Sequence, residues 1–277
     1  MKNLAPQAET DRFRARKRFG QNFLVDRGVL SRIVQRAAIC PDDVVLEIGP
    51  GQGILTKALL SENCAFLHAV ELDERLKEHL ECLSRQEERL SIVWGDAMKA
   101  DYGALDPFPN KVVANIPYNI TTPLIWRLLP FASRGLRYHL YMVQKEAAER
   151  LLAPADTKAR YPLGVSLEVM GSVSWVCGVS PSCFRPMPRV DSAVVEIVLT
   201  RNLHLMDDRL WSDLLHAAFA QRRKTLLNNL KGFLQRDARA WELLLQDANL
   251  DSKVRAEDLS GEEWLHVYSR IKNDKRI

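Results

Sequence analysis

The stretch from Val44 to Thr56 constrains the fold more than any other part of this 277-residue chain. A hydrophobic, strand-like run leads into Gly49, Gly51 and Gly53, and a helical pattern follows directly. Glycine adopts backbone conformations that other residues avoid, so such a turn lets a ligand approach the main chain. An ordinary tight strand-to-helix turn is the alternative, but three glycines in five positions after a buried strand favour a nucleotide-like ligand.

Ile54 argues against a dinucleotide-binding turn. The G-x-G-x-x-G fingerprint requires a third glycine at this position, where the helix closes onto the strand beneath a pyrophosphate. A nicotinamide-dependent oxidoreductase is therefore a weaker interpretation of the same turn. The nucleotide-like ligand expected here is of another kind.

Strand-like runs recur along the first two thirds of the chain and are separated by segments long enough for helices. They lie at residues 44–48, 65–72, 91–94, 111–115 and 138–143, after a predicted helix at 27–38. This alternation predicts an α/β fold with a parallel sheet covered on both faces. Two later runs, 173–179 and 193–199, flank a proline-rich loop and predict a closing antiparallel pair.

Strand signals vanish after Thr200, and helical periodicity continues to Ile271. We therefore predict a basic N-terminal segment at 1–18, a catalytic domain at 19–200 and a helical domain at 201–277. The first long helix of the helical domain is expected over residues 208–230. The loop 153–162 is the best interior candidate for mobility.

The composition excludes several classes of protein. Apolar residues make up 47% and charged residues 27%, as in an ordinary globular chain, and the net charge is 39 − 35 = +4. No apolar run approaches the roughly 18 residues of a membrane span, and no hydrophobic segment follows the basic N-terminus as in a secretory signal. Five cysteines without a C-x-x-C pair and six histidines without ligand spacing predict a reduced cytoplasmic protein with no metal.

Acidic residues follow two of the predicted strands. Glu71 ends the second strand, where a carboxylate can accept hydrogen bonds from ribose hydroxyls, and Asp96 ends the third, within reach of an adenine amine. Taken singly, the first could be a surface acid and the second the N-cap of a helix. Together with the glycine turn they indicate a ligand site at the carboxyl edge of the sheet.

The segment Asn115-Ile116-Pro117-Tyr118 follows the fourth strand. An adenine N6 amine is a poor nucleophile because its lone pair is delocalised into the ring, so its methylation needs hydrogen-bond acceptors. The Asn115 side chain and the Ile116 carbonyl, restricted by Pro117, supply two acceptors. Tyr118 offers a ring on which a base can stack. The alternative is that this tetrapeptide only turns the chain and has no catalytic role.

These motifs resemble the small-subunit ribosomal RNA adenine N6,N6-dimethyltransferase family, of the KsgA type, over nearly the whole chain. The matching segments are 16–24, 47–51, 71–73, 95–97, 115–118, 144–146, 184–193 and 221–225. The resemblance implies a class I S-adenosylmethionine-dependent methyltransferase domain, Rossmann-like with a seven-stranded, mainly parallel sheet, and a small C-terminal helical domain. It also implies dimethylation of two adjacent adenosines in the 3′-terminal hairpin loop of small-subunit ribosomal RNA, during subunit biogenesis.

The resemblance also implies roles for individual residues. It assigns contacts with S-adenosylmethionine to Asn22, Leu24, Gly49, Gly51, Glu71, Asp96 and Asn115. It places Phe184 opposite Tyr118, so that the two rings would hold a flipped adenine; a core aromatic at a strand end is the alternative. The sequence departs from the family at Tyr161-Pro162, where a glycine usually follows the tyrosine.

Two basic clusters are candidates for contact with the RNA backbone. One contains Arg16, Lys17 and Arg18, and the other contains Arg222, Arg223 and Lys224. A charge run is usually a solvated face, but beside methyltransferase motifs these clusters predict salt-sensitive binding of RNA by a monomer acting on a partly assembled small subunit. A methyltransferase acting on large-subunit RNA or DNA, and an assembly factor without catalysis, are the remaining alternatives.

Overall fold

The computed structural model describes residues 22–273, in which short strands and helices alternate. The strands are β1 (Phe23–Leu24), β2 (Val44–Ile48), β3 (Phe66–Glu71), β4 (Leu90–Trp94), β5 (Lys111–Asn115), β6 (Tyr138–Gln144), β7 (Gly171–Val179), β8 (Phe184–Arg185) and β9 (Ser192–Leu199). The helices are α1 (Arg27–Ala37), α2 (Ile54–Ser61), α3 (Lys77–Gln86), α4 (Thr121–Leu128), α5 (Lys145–Leu151), α6 (Pro162–Met170), α7 (Arg209–Ala218), α8 (Leu226–Leu230), α9 (Ala238–Asp247) and α10 (Gly261–Asn273). Arg16, Lys17 and Arg18 lie outside the described residues, so their predicted contacts with RNA stay a prediction.

Seven strands form one sheet in the order β4-β3-β2-β5-β6-β9-β7. The pairs β2/β3, β2/β5, β3/β4 and β5/β6 are parallel, and α2, α3 and α4 supply the crossovers that parallel neighbours require. The predicted seven-stranded, mainly parallel sheet is confirmed. The chain order reverses between β2 and β5, and open α/β sheets form their ligand crevice at such a reversal.

The last two strands of the sheet close it as the sequence predicts. β9 and β7 are neighbours, and Thr200 N–H, just after β9, donates to the carbonyl of Met170, just before β7, at 2.9 Å. The end of one strand therefore meets the beginning of the other, which is an antiparallel arrangement.

A second, two-stranded sheet ties the beginning of the described chain to a distant loop. β1 and β8 are antiparallel, with Phe23 opposite Arg185 and Leu24 opposite Phe184. Val25 N–H extends the pairing by donating to the carbonyl of Cys183 at 2.9 Å. This small sheet fixes the position of the residue that precedes it, Asn22.

The helix α1 shows how the local sequence sets the boundaries of an element. The Asp26 side chain accepts from Val29 N–H at 2.8 Å and so caps the first turn. Ile33 and Val34 are buried with Val29, and the helix ends where Ala38 adopts a left-handed conformation.

No helix within residues 22–273 is long and apolar enough to cross a membrane.

The described chain divides into two compact units. A sheet unit contains residues 22–145 and 175–196, and a helical unit contains residues 146–174 and 197–273. The predicted division near residue 200 differs, because α5 and α6 belong to the helical unit. Within that unit Trp211 Nε1 donates to Ser166 Oγ at 2.9 Å, and Gly261 N–H donates to Glu168 Oε1 at 2.8 Å. These bonds join residues far apart in sequence, so the periodicity of α6 alone does not show its partners.

The single long helix predicted over residues 208–230 is wrong. α7 ends at Ala218 and α8 begins after Thr225, whose hydroxyl accepts from Asn228 N–H at 3.3 Å as an N-cap. The Asn229 side chain donates to the carbonyls of Ala218 and Gln221, at 2.6 and 3.1 Å. Arg222, Arg223 and Lys224 consequently lie in an exposed turn and not on a helix.

Candidate functional site

The turn after β2 places main chain at the carboxyl edge of the sheet. Gly49, Gly51 and Gly53 all have positive φ values, of 71°, 56° and 74°. Gly49 N–H donates to the carbonyl of Val70 at 2.9 Å, which holds the turn beside the end of β3. L-residues rarely adopt these conformations, so the three glycines are required by the backbone of the turn.

Gly51 is also required by a close neighbour. A Cβ atom at this position would lie 2.9 Å from the Phe23 ring, which is closer than carbon atoms approach without displacement. The glycine turn and β1 therefore fit against each other only because residue 51 has no side chain.

Glu71 connects the end of β3 to the glycine turn and is only 6% exposed. Its Oε1 accepts from the N–H groups of Leu72 and Asp73, at 2.9 and 2.7 Å, and its Oε2 accepts from Gly51 N–H at 3.1 Å. Burial raises the pKa of Glu71 above its usual value, and the three backbone donors oppose this effect. Because a carboxylate has about four acceptor sites, Oε2 retains one for a ligand hydroxyl.

A cavity of about 270 Å³ opens at the carboxyl ends of β2, β3, β4 and β5. We call it the strand-end cavity. Its lining combines polar acceptors with apolar side chains: Asn22, Phe23, Ile48, Gly49, Gly51, Val70, Glu71, Leu72, Gly95, Asp96, Ala97, Met98, Asn115, Ile116, Pro117, Tyr118, Asn119 and Ile120. Segments predicted separately from the sequence, around residues 22, 49, 71, 96 and 115, thus meet at one site.

Asp96 lies in the turn that follows β4 and lines the strand-end cavity. Its Oδ1 accepts from Met98 N–H at 2.8 Å, so the carboxylate organises a turn. No helix follows directly, so Asp96 is not the helix N-cap that the alternative interpretation predicted. The other carboxylate oxygen, Oδ2, is part of a side chain that lines the strand-end cavity. The structural role and the predicted contact with a ligand amine are therefore compatible.

Asn115 ends β5, and its amide is held by the main chain. Asn115 Nδ2 donates to the carbonyl of Asn22 at 3.2 Å. Since the amide nitrogen is the donor end of the group, this bond leaves Oδ1 as an acceptor. Ile116 N–H donates to the carbonyl of Met142 at 3.1 Å, and Pro117 restricts the Ile116 backbone, so the second predicted acceptor is also held in place.

Tyr118 lines the strand-end cavity and is anchored at its hydroxyl. The phenol oxygen lies 2.6 Å from Ser192 Oγ, and Ser192 is fully buried at the beginning of β9. Burial raises the pKa of Tyr118, so the phenol stays neutral at physiological pH. Its ring is therefore fixed by a hydrogen bond at the end away from the main chain.

Two predicted residues do not line the strand-end cavity. Phe184 is 0% exposed and belongs to the hydrophobic core with Leu24, its partner across the β1/β8 pair. A fully buried ring presents no face to a base, so the structure does not support the predicted stacking of adenine between Phe184 and Tyr118. Leu24 lines a smaller cavity, of about 40 Å³, beside the glycine turn.

The structure adds residues that the sequence analysis did not single out. Phe23, Leu72 and Met98 line the strand-end cavity. Leu72 is 49% exposed, and an apolar residue directly after the acid of a strand end is a signal that could have been used. The contribution of Phe23 depends on the pairing of β1 with β8, which no local pattern reveals.

Glu47 lies within β2 and lines the smaller cavity. It is 1% exposed, and its Oε2 has no hydrogen-bond partner among the described residues. Burial raises the pKa of Glu47 to about 8, assisted by the nearby Glu71 carboxylate. Glu47 is therefore mainly protonated near neutral pH.

The second basic cluster lies on the helical unit. Arg222, Arg223 and Lys224 are exposed and, with Gln221, line a surface concavity. The Arg222 guanidinium donates to the carbonyl of Lys158, so part of the cluster is fixed to the α5–α6 connection. The remaining exposure of these cations suits contact with a polyanion.

Comparison with known proteins gives a consistent family. A family model described as ribosomal RNA adenine dimethylase matches residues 12–273. The chain is 40% identical over 258 residues to the Ribosomal RNA small subunit methyltransferase A of Chromobacterium violaceum, covering 92% of this chain and 95% of that protein. It is 42% identical over 274 residues to the protein of the same name from Synechocystis sp., with the same coverage of both chains.

Two solved structures resemble the whole described fold. A dimethyladenosine transferase from Plasmodium falciparum has a TM-score of 0.78 and 27% identity, covering 90% of this chain and 97% of that one. The 23S rRNA methyltransferase ErmE has a TM-score of 0.67 and 25% identity, covering 91% of this chain and 100% of that one. The similarity therefore includes the helical unit as well as the sheet.

Proposed function

Because this chain belongs to the ribosomal RNA adenine dimethylase family, we propose that it dimethylates the N6 amines of two adjacent adenosines in the 3′-terminal hairpin loop of small-subunit ribosomal RNA, with S-adenosylmethionine as the methyl donor. The observation that carries this proposal is the position of Asn115. Its oriented amide stands at the end of β5, on the wall of a cavity whose other lining suits an adenosine-containing cofactor.

The strand-end cavity fits S-adenosylmethionine in its arrangement of donor and acceptor groups. Glu71 Oε2 keeps an acceptor site for a ribose hydroxyl, and the Asp96 carboxylate can accept from an adenine amine. Leu72 and Met98 offer apolar surface to the purine, and the glycine turn leaves main chain uncovered for the amino-acid part. When bound, S-adenosylmethionine supplies an activated methyl group for attack by a nitrogen.

The catalytic groups of this chain act by positioning and by accepting hydrogen bonds. As N6 takes a methyl group it becomes tetrahedral and positively charged, and its N–H groups then bond more strongly to acceptors. Asn115 Oδ1 and the Ile116 carbonyl are the acceptors held for this purpose. Acceptors fixed before the reaction need no reorganisation as charge develops, so they favour the transition state over the ground state.

Tyr118 supplies the stacking face for the target adenine. Its hydroxyl is anchored to Ser192, so the ring holds its orientation when a base is extruded into the site. Phe184 is not assigned to this role, because its ring is buried in the core. A purine placed on Tyr118 would present its N6 amine to the adjacent acceptors of residues 115 and 116.

Several further properties belong to the proposal. The names of the curated relatives support small-subunit RNA over large-subunit RNA as the substrate. We propose that the protein acts as a cytoplasmic monomer on a partly assembled small subunit, that Arg222, Arg223 and Lys224 contact the RNA backbone, and that catalysis needs no metal. Within residues 22–273 no group of three His, Cys, Asp or Glu side chains could hold a metal ion.

Mass spectrometry of RNA nucleosides tests the proposal directly. Purified protein, S-adenosylmethionine and unmethylated small-subunit RNA should yield N6,N6-dimethyladenosine. Asn115→Ala should lower the rate by about 100-fold or more, the loss typical for an oriented group at a developing charge. Gln246→Ala, which removes an exposed amide on α9, should keep the wild-type rate. Modification of large-subunit RNA alone, or an unchanged rate in Asn115→Ala, would contradict the proposal.

A further inference from the structure

The helical unit contains a cavity of its own, larger than the strand-end cavity. Its volume is about 610 Å³, and its walls come from α5, the α5–α6 connection and the end of α7. We call it the helical-unit cavity. Its lining residues are Glu146, Glu149, Arg150, Lys158, Ala159, Arg160, Tyr161, Pro162, His216, Phe219, Ala220 and Arg222.

The charge of this lining is predominantly positive. Three exposed cations, Arg150, Lys158 and Arg222, line it with two exposed carboxylates, which gives a formal excess of 3 − 2 = +1. A fourth cation, Arg160, is buried in the wall and paired with Glu168. Lys158 and Arg222 are both exposed to solvent at this surface. A concave surface lined by cations concentrates anions from solution.

Arg160 is the most unusual of these cations. It is 3% exposed as a residue and 0% exposed at the side chain. Its Nη1 pairs with Glu168 Oε2 at 2.7 Å and donates to the carbonyl of Ala153 at 3.3 Å, while Nε and Nη2 have no partner among the described residues. The other carboxylate oxygen of Glu168, Oε1, accepts a hydrogen bond from Gly261 N–H. The Arg160 guanidinium therefore lies behind the cavity wall, where Glu168 balances part of its charge and two of its nitrogens are buried without a partner.

The other cations are held in place around the opening. The Arg222 guanidinium donates to the carbonyl of Lys158 and so joins the end of α7 to the α5–α6 connection. The Arg150 guanidinium lies 4.4 Å from the centre of the Tyr161 ring, in a cation–π arrangement. Both contacts restrict long side chains before any ligand binds, which lowers the entropy lost on binding.

We propose that the helical-unit cavity receives a phosphate of the RNA substrate, with Lys158 and Arg222 as direct contacts, Arg150 at the rim and Arg160 as the buried charge behind them. This inference rests on the proposed action on RNA. RNA is favoured over an acidic protein because Arg222 also lines the concavity of Arg223 and Lys224, so the two surfaces form one continuous basic track.

Lys158→Ala tests this inference without risk to the fold, because Lys158 is exposed in a connection. The affinity of the full-length protein for naked small-subunit RNA should be measured over a series of salt concentrations. Loss of one phosphate contact should weaken binding by roughly threefold to tenfold near 0.1 M salt and reduce the slope of log K against log salt by about one. Lys158→Glu should weaken binding further. Lys253→Ala, an equally exposed lysine of the helical unit outside both concavities, should match the wild type.

The outcomes separate this inference from the proposed function. If the wild type methylates RNA but Lys158→Ala and Lys158→Glu bind RNA with unchanged affinity and salt slope, the phosphate site is wrong and the proposed function stands. If these variants bind naked RNA normally but partly assembled subunits weakly, the cavity meets a protein, and the inference is overturned. Equal weakening on naked RNA and on subunits, with turnover unchanged at saturating RNA, supports it. A wild type that methylates no RNA would count against the proposed function itself.

Discussion

The two cavities of this protein use charge in opposite ways. In the strand-end cavity the charged groups are carboxylates that are bound to the main chain, as Glu71 is by three N–H groups. In the helical-unit cavity they are mostly cations on long side chains, and one of them, Arg160, keeps unused nitrogens. The first arrangement suits a small ligand held in one pose, whereas the second suits a polyanion that contributes its own charge. We therefore expect the sheet unit to respond to pH and the helical unit to respond to salt.

The largest expected effect of pH comes from Glu47. Its pKa is about 8 in the folded protein against an ordinary 4.5, so between these values the folded state keeps a proton that the unfolded state loses. The free energy of unfolding should therefore fall as pH rises from about 5 to 8, with a slope of roughly 1 kcal/mol per pH unit from this group. Glu47→Gln stays neutral and should remove that slope.

Urea unfolding of the wild type and Glu47→Gln at pH 5.5, 6.5 and 7.5 checks this expectation. The difference between the two proteins isolates residue 47, because every other titrating group is common to both. Two curves that stay parallel across this range would mean that Glu47 is ionised in the folded protein.

Glu71→Ala should weaken cofactor binding in the strand-end cavity and leave RNA binding unchanged. Loss of this carboxylate removes the acceptor for a ribose hydroxyl and frees the Gly51 N–H, so affinity for S-adenosylmethionine should fall by about 10-fold to 100-fold. Calorimetric titration with the cofactor measures this loss, and RNA affinity should stay unchanged. Asp73→Asn is the matched control: Asp73 is a buried acid two residues away, bound to Arg75 and outside the lining of the strand-end cavity. Similar losses in both variants would indicate damage to the fold.

Replacement of Arg222, Arg223 and Lys224 by alanine should weaken RNA binding and leave cofactor binding unchanged. RNA affinity should fall by about 30-fold or more near 0.1 M salt, and the salt dependence should flatten, because fewer counterions are released on binding. Cofactor affinity should match the wild type. A filter-binding series in increasing salt measures both quantities, and an unchanged salt slope would remove the basic turn from the RNA interface.

The smallest expected effect concerns the anchor of Tyr118. Ser192→Ala removes the hydrogen bond to the phenol and should lower turnover by roughly twofold to tenfold, the range for one net hydrogen bond. In a Tyr118→Phe background the same substitution should have no further effect on turnover, since the bond is already absent. A purely structural role of Ser192 would instead give the same loss in both backgrounds.

The sequence is sufficient for the parts of this fold that depend on neighbouring residues. β2 and β5 have the predicted limits because their apolar runs end at Gly49 and at a proline-containing segment. The same strand ends predict most of the strand-end cavity, since parallel strands bring their carboxyl ends to one edge of the sheet. Asn115 and Glu71 could therefore be placed together although they are 44 residues apart.

The remaining features depend on contacts between distant segments. Phe184 is buried because β8 pairs with β1, some 160 residues earlier in the chain, and this two-residue pairing leaves no periodic signal. The break after α7 depends on the side chain of Asn229, which takes carbonyls that a continuous helix would use for its own bonds. In both cases tertiary contacts override a local pattern.

The bond from Asn115 to the carbonyl of Asn22 makes the catalytic amide depend on the beginning of the chain. A protease that cut after Leu24 would leave the seven-stranded sheet whole and every motif of its strand ends in place. The enzyme would nevertheless lose the carbonyl of Asn22, which holds the Asn115 amide with its oxygen free to accept from the substrate. Removal of the residues up to Leu24 should therefore abolish methyl transfer even though Asn115 and the other strand-end residues stay in the protein.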